Sequence, residues 1–99
     1  MVAYEEQRGL LRCTGEEDLA TQGLRRPCFA RAVRAPSDVV VDLSELAFAD
    51  SSLIIDLAIL GQRLRASGRQ LQLQHAQPHI ARLIEMVGLN RQPGVLLAI

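Results

Sequence analysis

The residues of this chain best placed to do chemistry are two adjacent serines, Ser51 and Ser52, which follow Asp50. They stand between a β-branched run at residues 39–43, which predicts a strand, and apolar residues at helical spacing from Leu53 onward, which predict a helix. Ser51 therefore lies at or beside the N-cap of that helix. A serine there can cap an orphan backbone N–H, and the same N–H groups and helix dipole also favour a phosphorylated side chain. From these residues alone, both interpretations stay open.

Other kinds of chemistry find little support in the sequence. His75 and His79 have the spacing of helical metal ligands, but Pro78 places a helix start between them, so no metal site is predicted. Ser51 lacks the G-x-S-x-G elbow of a serine hydrolase, and the adjacent Asp50 points away from it. No glycine belongs to a phosphate-binding loop motif. We therefore expect no enzyme and no cofactor, and a partner must bring any phosphoryl group.

Length and composition indicate one small domain over residues 1–99. The formal net charge of zero and the pI of about 6.7 argue against a basic surface for nucleic acid or anionic lipid. No apolar run approaches the roughly 20 residues of a membrane span, so we expect no membrane insertion and a cytoplasmic location. Cys13 and Cys28 lack C-x-x-C spacing and are predicted to be reduced packing residues.

Strand patterns occur at residues 2–7, 10–14, 39–43, 71–74 and 95–99. The first two flank Arg8 and Gly9 and predict a hairpin at one side of the sheet. The run at residues 39–43 is almost purely apolar, which predicts a central strand covered on its faces, ended by residues 44–45.

The first predicted helix contains a proline. Thr21 is its candidate cap, and Leu24, Cys28 and Ala32 recur every four residues as its apolar stripe. Pro27 removes a backbone hydrogen bond, so this helix either begins late, with Pro27 in its first turn, or kinks there.

Two further helices are clearer. One covers residues 52–66 and ends before Gly68, and the other begins at Pro78 and ends at Gly88. The last helix carries the stripe Ile80, Leu83, Ile84 and Val87. Strand, helix and strand over residues 39–74 imply a right-handed parallel crossover.

In order and spacing, these segments resemble the STAS domain, the fold of bacterial anti-anti-sigma factors. That family has an apolar strand ending D-L-S and then F-x-D-S-[SA]-G-L at a helix start, similar to residues 39–44 and 48–52. Residues 15–21 resemble its G-E-x-D-x-x-T, residues 65–71 its link to the next strand, and residues 80–89 its last helix with a closing Gly-Leu. The resemblance implies an α/β fold, a single STAS-like domain with a mixed β-sheet of four to five strands and about three helices.

The resemblance also implies a function, that of an anti-sigma factor antagonist. Such a domain binds an anti-sigma factor with GHKL-type serine kinase activity, which releases the sigma factor, and phosphorylation ends the interaction. Ser51 matches the phosphoacceptor, and Ser52 is the alternative. A phosphatase and self-association are compatible with this interpretation. The alternative function is a non-phosphorylated STAS scaffold that binds a transporter ATPase subunit or a larger signalling complex.

A partner-binding surface around the serine follows from the same resemblance. Its predicted residues are Asp18, Asp42, Asp50, Ser52, Leu53, Ile54 and Asp56. For Asp18 and Asp42, capping and turn formation are the alternative role. Asp56 is either a solvated position or part of the surface.

Leu53 marks a departure from the family, which usually has glycine at that position. A leucine there either contacts the partner or fills the core of the domain. Because Leu57 and Leu60 already supply a core stripe, the partner surface is favoured.

Overall fold

The computed structural model describes residues 1–98 and consists of three α-helices and a five-stranded mixed sheet. The strands are β1 (Val2–Glu5), β2 (Leu10–Glu17), β3 (Val39–Ala49), β4 (Leu71–Gln74) and β5 (Val95–Ala98). The helices are α1 (Gln22–Val33), α2 (Ser51–Ala66) and α3 (Pro78–Val87), and 3-10 turns cover Glu6–Arg8, Leu19–Thr21 and Leu89–Arg91. The sheet has the order β1-β2-β3-β4-β5, in which only the β1–β2 pair is antiparallel. The predicted fold class is confirmed.

The predicted hairpin is confirmed at the β1 end of the sheet. β1 ends at Glu5 because residues 6–8 form a 3-10 turn that closes at Gly9, whose φ of 58° suits glycine. In β2, burial raises the pKa of the Cys13 thiol to about 12. Cys13 and Cys28 are free thiols, as predicted.

β3 is the central strand, as predicted, but it is longer than its apolar run. It continues to Ala49, so the prediction that residues 44–45 end it is wrong. Pairing with β2 persists because β3 gains one extra residue opposite residues 12–14 and another opposite residues 15–16, as in β-bulges. The strand therefore reaches far enough for Ala49 to pair with Glu17.

Burial along β3 shows that one face of the sheet is covered more fully than the other. Val39, Val41 and Leu43 are completely buried, whereas Val40 and Asp42 between them are half-buried. β4 alternates in the same way. The predicted covering of the central strand is therefore complete on one face and partial on the other.

Helix α1 begins at Gln22 and runs through Pro27, so of the two predicted alternatives, a late start and a kink at Pro27, the late start is wrong. The 3-10 turn Leu19–Thr21 leads directly into the helix. Asp18 caps this turn by exchanging hydrogen bonds with Thr21, and the Thr21 side chain makes no capping bond to α1. Helix α1 therefore begins directly after this turn, upstream of Pro27.

The inner face of α1 begins with Arg25 and not with Leu24, the first residue of the predicted stripe. Leu24 is 81% exposed, whereas Arg25 is 1% exposed. Ala32 is fully buried, and Cys28 is half-buried. The residue that faces the core near the start of α1 is therefore an arginine and not a leucine.

Helix α2 begins at Ser51, one residue earlier than predicted, and the chain leaves it through Gly68 at a φ of 76°. Leu53 and Ile54 are completely buried in the same core as Leu57. Their predicted place on a partner surface is therefore wrong, because α2 follows β3 after a single residue and its first turn already packs inward. The next residue, Ile55, is 51% exposed.

The remaining predictions for this half of the chain are largely confirmed. β4 covers the predicted residues, and α3 has Pro78 at its first position and ends at Gly88 with a φ of 91°. Val87, assigned to the apolar stripe of α3, is 46% exposed. β5 is described to Ala98, and the predicted last strand residue, Ile99, lies outside the described residues. Within residues 1–98, no helix has the length and apolar character to cross a membrane.

Candidate functional site: the serine pair and its buried arginine

The N-terminus of α2 lies beside the end of β2. The backbone N–H of Asp50 donates to the carbonyl of Glu17, with an N···O distance of 3.1 Å, which extends the strand pairing by one residue. The backbone N–H of Leu19 in turn donates to Asp50 Oδ2 at 3.0 Å. These two bonds join the start of α2 to the β2–α1 connection, which contains Asp18.

Asp50 is the N-cap of α2. Its Oδ1 accepts from the backbone N–H of Ser52 at 2.9 Å and from the Ser52 hydroxyl at 2.5 Å. The pKa of the Asp50 carboxyl lies below its ordinary value, first because the Ser52 hydroxyl donates to it and further because the N–H groups of Leu19 and Ser52 do. Asp50 therefore does the capping that the sequence left open for Ser51.

The two serines differ in their surroundings. Ser51 is exposed at the first position of α2, and its hydroxyl has no hydrogen-bond partner within residues 1–98. Ser52 is half-buried, donates to Asp50, and accepts from Arg25 Nη2 at 3.1 Å. Only Ser51 offers a free hydroxyl to an approaching partner.

Arg25 occupies the centre of a buried polar cluster. Its Nε donates to Asp56 Oδ2 at 2.9 Å, and its Nη1 donates to Glu17 Oε1 at 3.2 Å and to the Asp18 carbonyl at 2.9 Å. Glu17 is 2% exposed, so this pair of opposite charges is almost wholly removed from water. Such a cluster joins β2, α1 and α2 beneath the serines.

Glu17 and Asp56 each have a second partner. The Thr21 hydroxyl donates to Glu17 Oε1 at 3.1 Å, and the α-amino group of Met1 lies 2.8 Å from Glu17 Oε2. Gln22 Nε2 donates to Asp56 Oδ1 at 3.3 Å. Asp56, predicted as a solvated or partner-facing residue, is thus chiefly a structural counter-ion of Arg25.

Sequence reasoning missed Arg25 and Glu17. A stripe extended back from Cys28 and Phe29 by three and four residues reaches Arg25, and alternation from Leu11 and Cys13 along β2 reaches Glu17. Both signals are therefore present in the sequence, but charged residues are rarely buried, so residue type alone predicts exposed positions for both.

Asp42 does not join this cluster. Its Oδ1 accepts from the backbone N–H of Ser44 at 2.9 Å, and its Oδ2 lies 3.7 Å from Arg12 Nε. The pKa of the Asp42 carboxyl is lowered, first by the Ser44 N–H. The expected grouping around the serine therefore brings together Asp18, Asp50 and Asp56, whereas the contacts of Asp42 are those of a strand bulge and a surface ion pair.

Exposed apolar side chains occur on the elements around the serine pair. Leu19 of the 3-10 turn is 68% exposed, Phe48 near the end of β3 is 49% exposed, and Ile55 of α2 is 51% exposed. These residues supply the apolar area that the sequence assigned to Leu53 and Ile54. Exposed apolar groups next to a free hydroxyl are typical of a protein-binding surface.

Comparison with protein families gives a match over almost the whole chain. A family model described as "Mlab, STAS domain" matches residues 1–98. A putative anti-anti-sigma factor of Mycobacterium tuberculosis, Rv2638, is 35% identical over 85 residues, which are 83% of this chain and 57% of that protein. The chain thus spans just over half the length of this relative.

Two solved structures are similar to the fold described above. The anti-sigma factor antagonist SpoIIAA in its unphosphorylated form has a TM-score of 0.69 at 18% sequence identity, covering 91% of this chain and 77% of that chain. The Bacillus cell fate determinant SpoIIAA in the phosphorylated form has a TM-score of 0.67 at 22% identity, covering 91% and 81%. At these identities the similarity concerns the fold.

Proposed function

Because the chain belongs to the STAS domain family, we propose that it is an anti-sigma factor antagonist whose binding to an anti-sigma factor is ended by phosphorylation of Ser51. The proposed partner is an anti-sigma factor with GHKL-type serine kinase activity, and a phosphatase restores the binding form. The proposed location is the cytoplasm. Similarity to a putative anti-anti-sigma factor supports this role.

One observation carries the proposal: Ser51 presents an exposed hydroxyl without a hydrogen-bond partner within residues 1–98, at the start of α2. In the transfer, Ser51 Oγ forms a bond to the γ-phosphorus of ATP, and the bond from that phosphorus to the bridging oxygen breaks. ADP leaves with the electron pair, and the hydroxyl proton passes to a base on the kinase. This chain supplies only the acceptor.

The proposed partner surface combines Ser51 with the exposed apolar groups beside it. Leu19, whose backbone N–H is bonded to Asp50, and Ile55, one helical turn after Ser51, provide apolar area, and Asp18 and Asp50 provide polar groups. Aromatic and aliphatic side chains at the centre of an interface, with polar groups around them, are the usual arrangement.

A phosphate on Ser51 changes the charge of this surface. It adds about −1.5 to −2 charges at neutral pH. The carboxylate of Asp50 is bonded to hydroxyl and amide donors and not to a cation, so it repels the new dianion. Burying these two like charges in an interface removes the water that screens them, and each ~1.4 kcal/mol by which this costs more in the complex than in the free chain lowers partner affinity tenfold. Asp56 contributes less because Arg25 already pairs with it.

Phosphopeptide mapping tests the acceptor. After incubation with ATP and an anti-sigma factor that has serine kinase activity, we expect phosphate on Ser51. Phosphate only on Ser52, or on neither serine with a kinase of verified activity, would contradict the proposal.

Substitutions test the switch. We expect Ser51→Ala to bind the anti-sigma factor and resist release, and Ser51→Asp to bind weakly with its fold intact, as measured by calorimetric titration. Ser37→Asp, which adds the same charge at an exposed position in the α1–β3 connection, is the matched control and should bind as the unmodified chain does. Equal affinities for Ser51→Ala and Ser51→Asp would favour a scaffold.

A second candidate function, the non-phosphorylated scaffold, is favoured by a groove between α1 and α2. Phe29, Val33 and Ile59 are among its apolar lining residues, and Arg26, Asp56 and Arg63 are its charged ones. A partner held there, such as a transporter ATPase subunit, would need no change at Ser51. Binding unaffected by both Ser51 substitutions but lost in Ile59→Asp would support this function.

A further inference from the structure

The buried guanidinium of Arg25 is the least expected group in the molecule. Removing a charge from water costs several kcal/mol, even when it is paired, so an arginine is found inside a domain only with its donors satisfied. Here Nε, Nη1 and Nη2 all have partners. Two of these donor groups meet carboxylates, but the third meets a serine hydroxyl of the candidate site.

The contact between Arg25 and Ser52 fixes the direction of the serine hydroxyl. An arginine has no acceptor, so Ser52 Oγ must accept from Nη2, and the hydroxyl proton is left for another group. The Ser52 hydroxyl donates a hydrogen bond to Asp50 Oδ1, with an O···O distance of 2.5 Å. Charged partners on both sides make these the stronger kind of hydrogen bond.

The same chain of bonds continues to the β2–α1 connection. With Oδ1 bound to Ser52, the Asp50 carboxylate turns its Oδ2 to the backbone N–H of Leu19. Arg25 itself donates to the Asp18 carbonyl in that connection. The buried Arg25 side chain therefore contacts both the start of α2, through Ser52, and the β2–α1 connection, through Asp18.

We propose that Arg25 is a positioning residue that holds the Ser52 hydroxyl against Asp50 and thereby leaves Ser51 as the only serine of the pair free to accept a phosphoryl group. For its consequence at Ser51, this inference rests on the proposed function. Ser52 Oγ donates its proton to Asp50 and accepts from Arg25, so its hydroxyl turns toward a kinase only if both hydrogen bonds break. Ser51 Oγ has no such bonds to break within residues 1–98.

The test needs a variant without the cation that still folds. Arg25→Leu alone leaves the buried carboxylate of Glu17 with only the α-amino group of Met1 as a counter-charge, whereas replacing both members of a buried ion pair by apolar residues is often neutral. We therefore choose the double variant Glu17→Leu/Arg25→Leu, with Glu17→Gln/Arg25→Gln as a second form. Arg26→Leu is the matched control, because Arg26 is the neighbouring exposed arginine.

The first measurement is amide hydrogen exchange and needs no kinase. The N–H groups of Ser52 and Leu19 both donate to Asp50. We expect their exchange relative to core amides of β3 to rise about tenfold in both double variants, the effect of losing a hydrogen bond to a charged group. Arg26→Leu should leave it unchanged. Unchanged exchange in a folded double variant would overturn the inference.

The second measurement is the distribution of phosphate between the two serines. With ATP and the partner kinase, we expect phosphate on Ser51 alone in the unmodified chain and on both serines in the double variants. Phosphate that stays exclusively on Ser51 in the double variants would overturn the selectivity assigned to Arg25. If the unmodified chain accepts phosphate on neither serine, the proposed function fails, and amide exchange alone decides whether Arg25 positions Ser52 and Asp50.

Discussion

The inner face of α2 is apolar along its length, whereas the inner face of α1 carries a buried arginine near its start. Leu53, Leu57 and Leu64 of α2 are completely buried, and the helix packs against β3 and β4. Arg25 of α1 is equally buried, but it contacts carboxylates and a hydroxyl. The two helices lie against each other, so the difference is not one of depth.

The charged part of these inner faces lies beside the serines, whereas most of the apolar part lies further along α2. The apolar stripe of α2 continues along the helix away from the site, while the ionic cluster lies where β2 ends, α1 begins and α2 begins. Apolar burial stabilises a fold without directing any group. Paired charges and hydrogen bonds have preferred directions, so they fix orientation at the place where a partner is expected to bind.

The largest predicted effect on stability comes from removing the buried charge of Arg25 on the inner face of α1. Arg25→Leu should lower the free energy of unfolding by up to about 3–5 kcal/mol, because it leaves the buried carboxylate of Glu17 with only the α-amino group of Met1 as a counter-charge. Glu17→Leu/Arg25→Leu should recover part of that loss, because the carboxylate that still loses its cation, Asp56, is partly exposed and keeps its bond from Gln22. Urea unfolding of the three chains measures both values. A single variant as stable as the unmodified chain would show that the cluster resembles an exposed ion pair in energy.

A similar loss of stability is expected from truncating a buried leucine at the start of α2, on its apolar inner face. Leu53→Ala should cost about 2–5 kcal/mol, the usual range for a buried leucine truncated to alanine. The folded fraction should bind the anti-sigma factor with unchanged affinity. Thermal melts and binding isotherms on one sample measure the two quantities. Weakened binding at full stability would return Leu53 to the partner surface.

The two helices also differ at their glycines. A Cβ on Gly61 of α2 would lie 2.9 Å from Val95 Cγ2 and 3.0 Å from Gln92 Nε2, so Gly61→Ala should destabilise by about 1–3 kcal/mol. Gly23 of α1 has open space around it, and Gly23→Ala should stabilise by roughly 0.5–1 kcal/mol. Denaturant midpoints should move in opposite directions. Movement in the same direction would contradict the packing difference.

The smallest expected effect is an acid dependence at the cap of α2. The pKa of Asp50 is lower in the folded chain than its ordinary 3.8, so its ionised form stabilises the fold above that value. This contribution is lost as the pH falls through the folded pKa, below 3.8. Melting temperatures of the unmodified chain and Asp50→Asn should therefore converge under acid conditions. A constant difference between them would exclude this carboxylate as the source.

Local patterns in the sequence were sufficient for much of the fold. The hairpin, α2, β4 and α3 are recognisable because apolar spacing, Pro78 and Gly88 act within a few residues of the element they define. The family resemblance added the order of the elements and the choice of Ser51.

The candidate site could be predicted only in part. Asp50 and the serine pair were found because they adjoin a strand and a helix in sequence. Arg25 and Glu17 were missed, since each is a charged residue whose burial depends on a partner from another element. Leu53 and Ile54 were assigned to the partner surface but are buried, and the exposed apolar residue at the start of α2 is Ile55.

The sequence by itself determined the elements of this protein, because the periodicity that buries a helix face or strand face is a property of neighbouring residues. Only the tertiary structure decided where β3 ends, since its extension to Ala49 depends on pairing with β2. Tertiary contacts also turned Arg25 inward and Leu24 outward. A buried charge is tolerated only where opposite charges and acceptors converge on it, and here they come from residues 8 and 31 positions away in the chain.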